Sequence, residues 1–250
     1  MIESTAALLA PPPRPEGAPL ESERVARASP GTGARVWLVR HGRVVAADVA
    51  YGDEDVTLSK EGIEQSDAVA GSLAEAPLQR VASSPLQRAL VLGEKVAEAA
   101  GLDCRVDPRF AELHRGRWQG LPRVDYVERW AADAEAYWRD PMRWRGHGGE
   151  TEEELVERAW PALIEVVESV DGGVAAVAAH RQVLRALVAA AIGVPPARSH
   201  ALHLDPAHAF LLHDASSGWI LERTNVARPG APPATETDDG PPEDVVTQLR

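Results

Sequence analysis

The chain has 250 residues, of which 44% are apolar, and its 26 lysines and arginines face 38 acidic residues, for a net charge of −12. This apolar content supports a sizeable core and excludes global disorder, while the acidic balance argues against general binding to nucleic acid or to an anionic membrane. The single cysteine, Cys104, excludes an internal disulfide framework and a multi-cysteine metal cluster, and it fits a cytoplasmic location.

Both ends of the chain have the composition of disordered tails. Residues 1–33 are rich in proline and alanine, and no basic segment precedes their short apolar stretch, so they do not resemble a secretory signal. Residues 227–250 are acidic and have no apolar periodicity until Val245 and Val246. No stretch approaches the ~18 apolar residues expected of a membrane-spanning helix. The sequence therefore predicts one domain over residues 34–226.

Strands and helices alternate along this domain. Short apolar runs predict strong strands at residues 36–39, 78–83 and 174–179, a short strand at 104–106, and weaker strands at 200–204, 209–212 and 219–222. Capping residues and periodicity predict a helix after Ser59, a helix from Pro85 to Gly101, a long helix from Thr151 to about Val170, and a helix over 182–192. This alternation predicts an α/β layered domain with a mostly parallel central sheet.

Two features modify the long predicted helix. Thr151 and Glu154 have the spacing of a capping box, which favours a helix start at this point. Pro161 lies inside the same helix and lacks the N–H that a helix interior needs, so it predicts a kink or a break.

Two histidines follow directly after two of the strongest predicted strands. His41 comes after the first strand, and His180 comes after the strand at 174–179. Ligands of open α/β sheets bind outside the carboxyl ends of the strands. The sequence thus predicts a site that contains both histidines.

The first of these histidines belongs to the tripeptide Arg40-His41-Gly42. A guanidinium offers two parallel donors to phosphate or carboxylate oxygens, and a neutral imidazole can act as a base, a metal ligand or a covalent nucleophile. The glycine would let a ligand approach the backbone closely. The alternative is a turn with an exposed histidine, and the tripeptide by itself does not decide between the two.

Further motifs follow in a fixed order. Arg88 lies one turn inside a helix, Glu112 precedes a glycine-punctuated loop at 116–120, a Gly-Gly-Glu-Thr segment opens the long helix at 148–151, and His180 closes the last strong strand. With the first tripeptide, this ordered set resembles the histidine phosphatase superfamily, the phosphoglycerate-mutase-like enzymes. The resemblance spans about residues 36–192.

The resemblance implies a three-layer αβα sandwich and a role for each of five residues. His41 would be the nucleophile that becomes phosphohistidine, and Glu112, expected to be partly buried, would protonate the leaving oxygen and later activate water. Arg40, Arg88 and His180 would hold the transferring phosphoryl group. Phosphoryl transfer depends mainly on in-line positioning and positive charge, which these side chains supply without a metal or another cofactor.

The chain departs from the family pattern after both histidines. Arg43 stands where the family often has an acidic or amide residue, and it would add positive charge to the substrate pocket. Arg181 stands where the family commonly has glycine; its N–H stays available to an anion, while its side chain could narrow the pocket.

The segment 113–149 is the expected lid or specificity insertion, rich in arginine and tryptophan. A second anion site for a substrate carboxylate or remote phosphate is one interpretation of its arginines. Ion pairs with acidic residues on helix surfaces are favoured for most of them. Arg115 and Arg117 are the expected exceptions because they lie close to Glu112 in the chain.

Two other chemistries are disfavoured. The residues His200, His203, His208 and His213 lack a shared metal-ligand spacing, and His200 and His203 would face opposite sides of a strand. Ser83 and Ser84 lack the nucleophile-elbow pattern of a serine hydrolase. No metal site is therefore expected.

The leading hypothesis is a metal-independent phosphatase that hydrolyses phosphomonoesters through a phosphohistidine, with a small-molecule substrate expected and a phosphoprotein as the alternative substrate. Phosphoglycerate mutase is the alternative within the enzymes, although the predicted domain is closer in length to the compact phosphatases. A non-catalytic module that binds a phospho-ligand or a protein partner, motivated by Arg43 and Arg181, is the alternative of a different class. The sequence leaves the substrate and the oligomeric state, including a homodimer, open.

Overall fold

The computed structural model describes residues 26–46, 48–194 and 196–230. Within these residues, the strands are β1 (Arg35–Arg40), β2 (Leu78–Ser83), β3 (Cys104–Val106), β4 (Val174–Ala179), β5 (Ala209–Ala215) and β6 (Gly218–Val226). The α-helices of the same stretches are α1 (Lys60–Leu73), α2 (Gln87–Ala100), α3 (Arg123–Arg129), α4 (Ala131–Arg139), α5 (Glu152–Glu168) and α6 (Arg181–Ile192). None of the helices in the described stretches has both the length and the apolarity that crossing a membrane requires.

The described strands form one sheet in the order β3-β2-β4-β1-β5-β6. The pairs β2–β3, β2–β4 and β1–β4 are parallel, whereas β5 and β6 are antiparallel additions at one edge. The predicted mostly parallel α/β sheet is confirmed. Since β1 and β4 are neighbours, with Arg40 opposite Ala179, His41 and His180 emerge side by side at the carboxyl edge.

Helices cover both faces of the sheet, which confirms the three-layer sandwich. Side chains alternate along β1, so that Trp37 and Val39 pack into the apolar cluster with α1 and α2, while Val36 and Leu38 pack into the cluster with α5 and α6. All four are at most 1% exposed. Complete burial of a side chain of this size contributes about 1.5–3 kcal/mol, so the two clusters hold the strand ends in place.

The helix starts and stops follow the predicted capping residues. The Ser59 hydroxyl accepts a hydrogen bond from the Gly62 N–H at the start of α1, and Thr151 and Glu154 form the complete capping box of α5. Gly101, with φ +67°, ends α2 in the left-handed conformation that glycine adopts without strain. The helix predicted from Pro85 begins two residues later, at Gln87.

Pro161 does not break α5, so of the predicted kink or break the break does not occur. The helix is continuous, and Pro161 lies on its exposed side while Trp160, Leu163 and Val167 are buried in the core. Water can hydrate the carbonyl that loses its helical partner on the exposed side, and the apolar face keeps the helix packed.

The predicted strand over residues 200–204 is also wrong. A 3-10 helix, Pro196–Ala201, occupies its first part. Two backbone carbonyls of this region accept hydrogen bonds from arginine side chains rather than from a neighbouring strand. Arg185 donates to Ser199 O at 2.9 Å, and Arg40 donates to Leu204 O at 2.7 Å.

The structured part extends beyond both predicted domain boundaries. Asp214, which is 0% exposed, accepts hydrogen bonds from the Ser29 hydroxyl, from Gly31 N at 3.0 Å and from Thr32 N at 2.8 Å. At the other end, the Trp37 indole donates to the Gly230 carbonyl at 3.0 Å. Residues 26–33 and 227–230 therefore belong with the fold rather than with the tails. The rest of the predicted tails, 1–25 and 231–250, lies outside the described residues.

Candidate active site

His41 and His180 meet at the carboxyl edge of the sheet, as the sequence predicts. Their ring centroids are 5.2 Å apart, and both side chains are buried, with residue exposures of 7% and 0%. The site therefore begins with two imidazoles in one buried recess between adjacent parallel strands.

His41 is oriented by its own loop. Its Nδ1–H donates to the Gly42 carbonyl at 2.7 Å, which leaves Nε2 with the lone pair that a nucleophile needs. Burial, followed by the charges of Arg40 and Arg88, holds the pKa of His41 well below its usual value. The ring is accordingly neutral at physiological pH.

The packing of the loop after His41 requires glycine at position 42. A Cβ atom on Gly42 would lie 2.3 Å from the Gly62 carbonyl oxygen, so only glycine allows the loop to pass this close to α1. The close approach fixes the segment that follows His41, including the carbonyl that orients its ring.

Arg88 and Arg40 are held by backbone carbonyls. Arg88, in the first turn of α2, donates to Gly52 O and Glu54 O, both at 2.6 Å. Arg40 donates to Leu204 O, and its buried Nε has no hydrogen-bond partner among the described residues. Burial and the nearby Arg181 lower the pKa of Arg40 to about 9, and both guanidiniums remain cationic at neutral pH.

His180 completes this group. Its Nε2 lies 2.8 Å from the Ser84 hydroxyl, and its buried Nδ1 has no hydrogen-bond partner within the described part of the chain. Burial and then Arg88 hold its pKa well below the usual value, so the ring is neutral. A Ser84 hydroxyl that donates to Nε2 would place the ring proton on Nδ1, where it can be donated to an anion. The orphaned donors of His180 and Arg40 are the groups that a tetrahedral oxyanion would satisfy.

Glu112 is half-buried, and both of its carboxylate oxygens accept backbone hydrogen bonds. Oε1 accepts from Leu113 N at 2.9 Å, and Oε2 accepts from Gln182 N at 3.2 Å in the first turn of α6. These contacts place Glu112 next to Gln182, two residues after His180. Glu112 is partly buried, as expected, and lies close to the His180 loop.

Arg158 holds the backbone of Glu112. The sequence analysis did not identify it as a candidate residue. Its guanidinium donates to the backbone carbonyls of Arg109 and Glu112, at 2.6 and 3.2 Å, and pairs with Glu150 at 2.6 Å. The only hint in the sequence was the Gly-Gly-Glu-Thr segment that carries Glu150. A cavity of about 550 Å³ opens at this place and is lined by residues that include Glu112, His114 and Arg158.

The three arginines proposed as additional substrate contacts differ in their surroundings. Arg43 is half-exposed and pairs with Glu61 of α1 at 3.0 Å. Arg181 begins α6, and its charge contributes to lowering the pKa of both Arg40 and His41. Arg115 lies with Cζ 5.3 Å from the Tyr137 ring centre. The charge of Arg115 also interacts with Glu112, so Arg115 and Arg181 both act on groups of the site, whereas Arg43 pairs with α1.

The segment 113–149 is folded around an aromatic cluster. Trp118 stacks on Tyr126 with ring centroids 4.6 Å apart and meets Tyr137 edge-on at 5.7 Å. Arg117 pairs with Asp133 and lies over the Trp130 ring, so it is not an exception to the ion pairing of this segment. Its role as an anion ligand stays a prediction. Arg139 likewise pairs with Glu135, at 2.6 Å. These contacts agree with the favoured interpretation of most of the lid arginines as surface ion pairs.

The C-terminal histidines have separate surroundings. His203 pairs with Asp205 at 3.0 Å, His213 pairs with Glu222 at 3.1 Å, and His208 Nδ1 lies 3.0 Å from Pro206 O. Across residues 26–46, 48–194 and 196–230, the structure places no three His, Cys, Asp or Glu side chains together as metal ligands.

Comparison with known proteins agrees with this geometry. Residues 36–227 match the model of the histidine phosphatase superfamily (branch 1). The chain is 34% identical over 170 residues to glucosyl-3-phosphoglycerate phosphatase of Mycolicibacterium vanbaalenii, covering 64% of this chain and 75% of that protein. It is 28% identical over 200 residues to a Yersinia pestis protein named "Probable phosphoglycerate mutase GpmB", covering 75% of this chain and 91% of the other.

A solved structure is similar over most of the domain. Mycobacterial glucosyl-3-phosphoglycerate phosphatase, solved as a complex with VO3, superimposes with a TM-score of 0.69 and 30% identity, covering 77% of this chain and 98% of the other.

Proposed function

Because this chain belongs to the histidine phosphatase superfamily (branch 1) and is a phosphatase of that family, we propose that it hydrolyses phosphomonoesters through a phosphohistidine formed at His41. The observation that carries the proposal is the orientation of His41. Its Nδ1 is bound to the Gly42 carbonyl, and its ring is neutral beside Arg40 and Arg88. An imidazole prepared in this way has a free Nε2 lone pair, as attack on phosphorus requires.

In the first step, His41 Nε2 attacks the phosphorus atom of the ester. The N–P bond forms while the bond from phosphorus to the ester oxygen breaks, and Glu112 donates a proton to that oxygen, so that an alcohol leaves. Arg40 and Arg88 face the oxygens of the phosphoryl group, and His180 Nδ1 donates to one of them. Fixed positive charge of this kind stabilises the transition state because it is already in place before the reaction begins.

In the second step, water attacks the same phosphorus atom from the side that the alcohol has left. Glu112, now a carboxylate, accepts a proton from this water, and the N–P bond breaks to return neutral His41 and inorganic phosphate. The backbone donors Leu113 N and Gln182 N hold the carboxyl group of Glu112 in one place through both steps. One residue can therefore act first as acid and then as base.

The substrate class that we propose is a phosphomonoester with a second acidic group. Arg115 and Arg181 lie beside the five reacting residues, and Arg181 has no ion pair within the described part of the chain, so its charge can meet a carboxylate. The cavity beside Glu112 has room for the organic part of such an ester. Phosphorylated hydroxy acids and their sugar derivatives meet both requirements, and the relatives named glucosyl-3-phosphoglycerate phosphatase support this choice.

The site favours hydrolysis over the two alternatives. The relative named as a phosphoglycerate mutase is 28% identical to this chain, below the 33–34% of the glucosyl-3-phosphoglycerate phosphatases. A module that only binds phospho-ligands would not need the acid–base residue, yet Glu112 is present and is held by two backbone donors. A cytoplasmic location, an optional homodimer and independence from metal ions stay predictions from the sequence.

The test is a phosphate-release assay over a panel of phosphomonoesters, with His41→Ala as the control. We expect turnover with the wild-type chain, fastest for esters that carry a carboxylate, and no turnover above background with His41→Ala. Interconversion of 2- and 3-phosphoglycerate, with and without the bisphosphate primer, is measured in parallel. Interconversion without net phosphate release would overturn the phosphatase assignment, and tight ester binding without either reaction would favour a binding module.

A further inference from the structure

Glu152 is a buried carboxyl group that the proposed reaction does not use. It is the first residue of α5 and is 1% exposed. Its Oε1 accepts two buried hydrogen bonds, from the Tyr137 hydroxyl and from Gln182 Nε2, each at 2.6 Å. Burying a carboxyl group is unfavourable unless strong donors meet it, and here two donors converge on a single oxygen.

Gln182 connects this carboxyl group to the candidate acid–base residue. Its side chain is held by Glu152, and its backbone N–H donates to Glu112 Oε2 at 3.2 Å. Gln182 is itself 2% exposed and directly follows the pair His180-Arg181. The first turn of α6 is therefore fixed from both sides by two glutamates, one of which lies in the reaction site.

Tyr137 connects the same carboxyl group to the segment 113–149. It lies on α4, its ring packs edge-on against Trp118, and it lies beneath the Arg115 guanidinium. Burial raises the pKa of Tyr137, so its hydroxyl keeps its proton and remains a donor. Glu152 thus joins three elements that approach one another only in the folded chain: α4 of the lid segment, the start of α5 and the start of α6.

We propose that Glu152 is a positioning residue for proton transfer by Glu112: by holding Gln182, it keeps the Gln182 N–H on Glu112 and fixes the lid segment against the same point. The inference rests on the proposed function, because it presupposes that Glu112 protonates the leaving oxygen. It predicts a loss that depends on the leaving group. An ester whose alcohol leaves readily needs little help from an acid, whereas an alkyl ester depends on it.

A purely structural role for Glu152 predicts something different. Loss of the buried hydrogen bonds would then lower stability and reduce the hydrolysis of every ester by the same factor. The ratio of kcat/KM for an aryl ester to kcat/KM for an alkyl ester separates the two roles. For each ester, kcat/KM reports the steps up to and including the first irreversible one, which is the formation of phosphohistidine.

The experiment compares p-nitrophenyl phosphate with 3-phosphoglycerate. Glu152→Met removes the acceptor while filling the space, and we expect it to raise the aryl-to-alkyl ratio about 10-fold, a fraction of the 10²–10⁴ that general acids contribute. Glu152→Gln keeps an acceptor oxygen for Tyr137 and Gln182, and its ratio should stay within about twofold of wild type. Gln182→Met, which keeps the backbone N–H but loses the side-chain tether, should behave like Glu152→Met.

Two further variants serve as references. Val156→Ala removes buried contacts one turn further along α5, where Val156 is 3% exposed, and should lower the melting temperature without changing the ratio. Glu112→Gln should raise the ratio most. An unchanged ratio in folded Glu152→Met and Gln182→Met, beside a large change in Glu112→Gln, would overturn the positioning role alone. If the wild-type chain hydrolyses neither ester, or Glu112→Gln leaves the ratio unchanged, the proposed function fails instead.

Discussion

The His41 and His180 rings lie with their centroids 5.2 Å apart and their planes inclined by 59°. Both rings have a pKa held well below the usual value, first by burial and then by neighbouring cations, of which Arg88 acts on both. At neutral pH the positive charge of the site therefore comes from arginine. The two imidazoles are left uncharged, one as a nucleophile and the other as a hydrogen-bond donor.

This division of roles predicts that the Glu112→Gln variant accumulates phosphohistidine. An activated aryl ester needs little proton donation, so His41 should still be phosphorylated, whereas the amide cannot accept the proton of the attacking water in the second step. We expect most of the variant to carry one phosphoryl group, detected by intact-mass spectrometry after rapid mixing and located by peptide mapping under alkaline conditions.

The control is the double variant with His41→Ala, which should carry no phosphoryl group. A phosphoryl group on another side chain would show that His41 is not the nucleophile. Equal rates of the two steps in Glu112→Gln would show that Glu112 is not the acid and base.

The sequence predicted most of the parts of the fold and of the site that depend on local patterns. The apolar runs predicted the four parallel strands, and the capping residues Ser59, Gly101 and Thr151 predicted helix ends, because these preferences act within one turn of the chain. The convergence of His41 and His180 followed from strand direction alone.

The contacts that depend on distant parts of the chain were not predictable. Ser84 meets His180, and Arg158 meets the Glu112 carbonyl, only because the sheet order and the packing of α5 bring them together. Arg43 and Arg117 show the reverse case. Their positions in the chain suggested anion binding, and only the fold shows that each also pairs with an acidic side chain, Glu61 or Asp133.

Arg181 and Arg43 provide a matched test of substrate recognition. For an ester that carries a carboxylate, Arg181→Gln should raise KM about 10-fold, which corresponds to about 1.4 kcal/mol and is typical of a hydrogen bond to a charged group. Arg43→Gln should change KM less than twofold, because Arg43 is engaged in an exposed ion pair with Glu61 and such pairs contribute little. Steady-state kinetics with 3-phosphoglycerate and with glycerol 3-phosphate, an analogue that keeps the phosphate but lacks the carboxylate, measure both effects. An equal increase for both esters would show that Arg181 does not contact the carboxylate.

Asp214 ties the N-terminal residues to the sheet, and its amide variant should lower stability. The side chain of Asp214 is 0% exposed, and its carboxylate accepts hydrogen bonds from the Ser29 hydroxyl, Gly31 N and Thr32 N. Burial raises its pKa, but these hydrogen bonds outweigh that effect and lower it overall. Asp214→Asn places an NH2 group against such donors, so we expect a loss of about 2–3 kcal/mol in the free energy of unfolding, measured by urea denaturation at pH 7.

A control for Asp214 is available in Asp205, which is partly exposed and accepts from the Asn225 side chain at 3.0 Å. Asp205→Asn should cost less than half as much as Asp214→Asn. Equal losses in the two variants would mean that the buried hydrogen bonds of residues 29–32 contribute no more to stability than an exposed one.

Four histidines whose pKa is lowered by desolvation predict a loss of stability in mild acid. Burial lowers the pKa of His147 to about 4 and that of His200 to about 3, and it also lowers those of His41 and His180. In the unfolded chain each histidine takes up a proton near pH 6.5, whereas in the folded chain it does not until the pH is much lower. The unfolded state therefore binds more protons over this interval, and stability is present above pH 6.5 and is lost as the pH falls toward 4.

His200 allows this prediction to be measured without changing the proposed reacting residues. Its Nε2 is buried without a hydrogen-bond partner among the described residues, and its ring lies 6.1 Å from that of Tyr137, so His200→Phe should be accommodated. Between pH 7 and pH 5 the variant should lose about 2 kcal/mol less stability than the wild type, the contribution of one histidine that stays neutral when folded. His203→Gln, at a side chain that is 73% exposed, should follow the wild-type curve. Urea denaturation at each pH measures both, and identical pH dependence of His200→Phe and wild type would show that His200 takes up its proton in the folded chain as well.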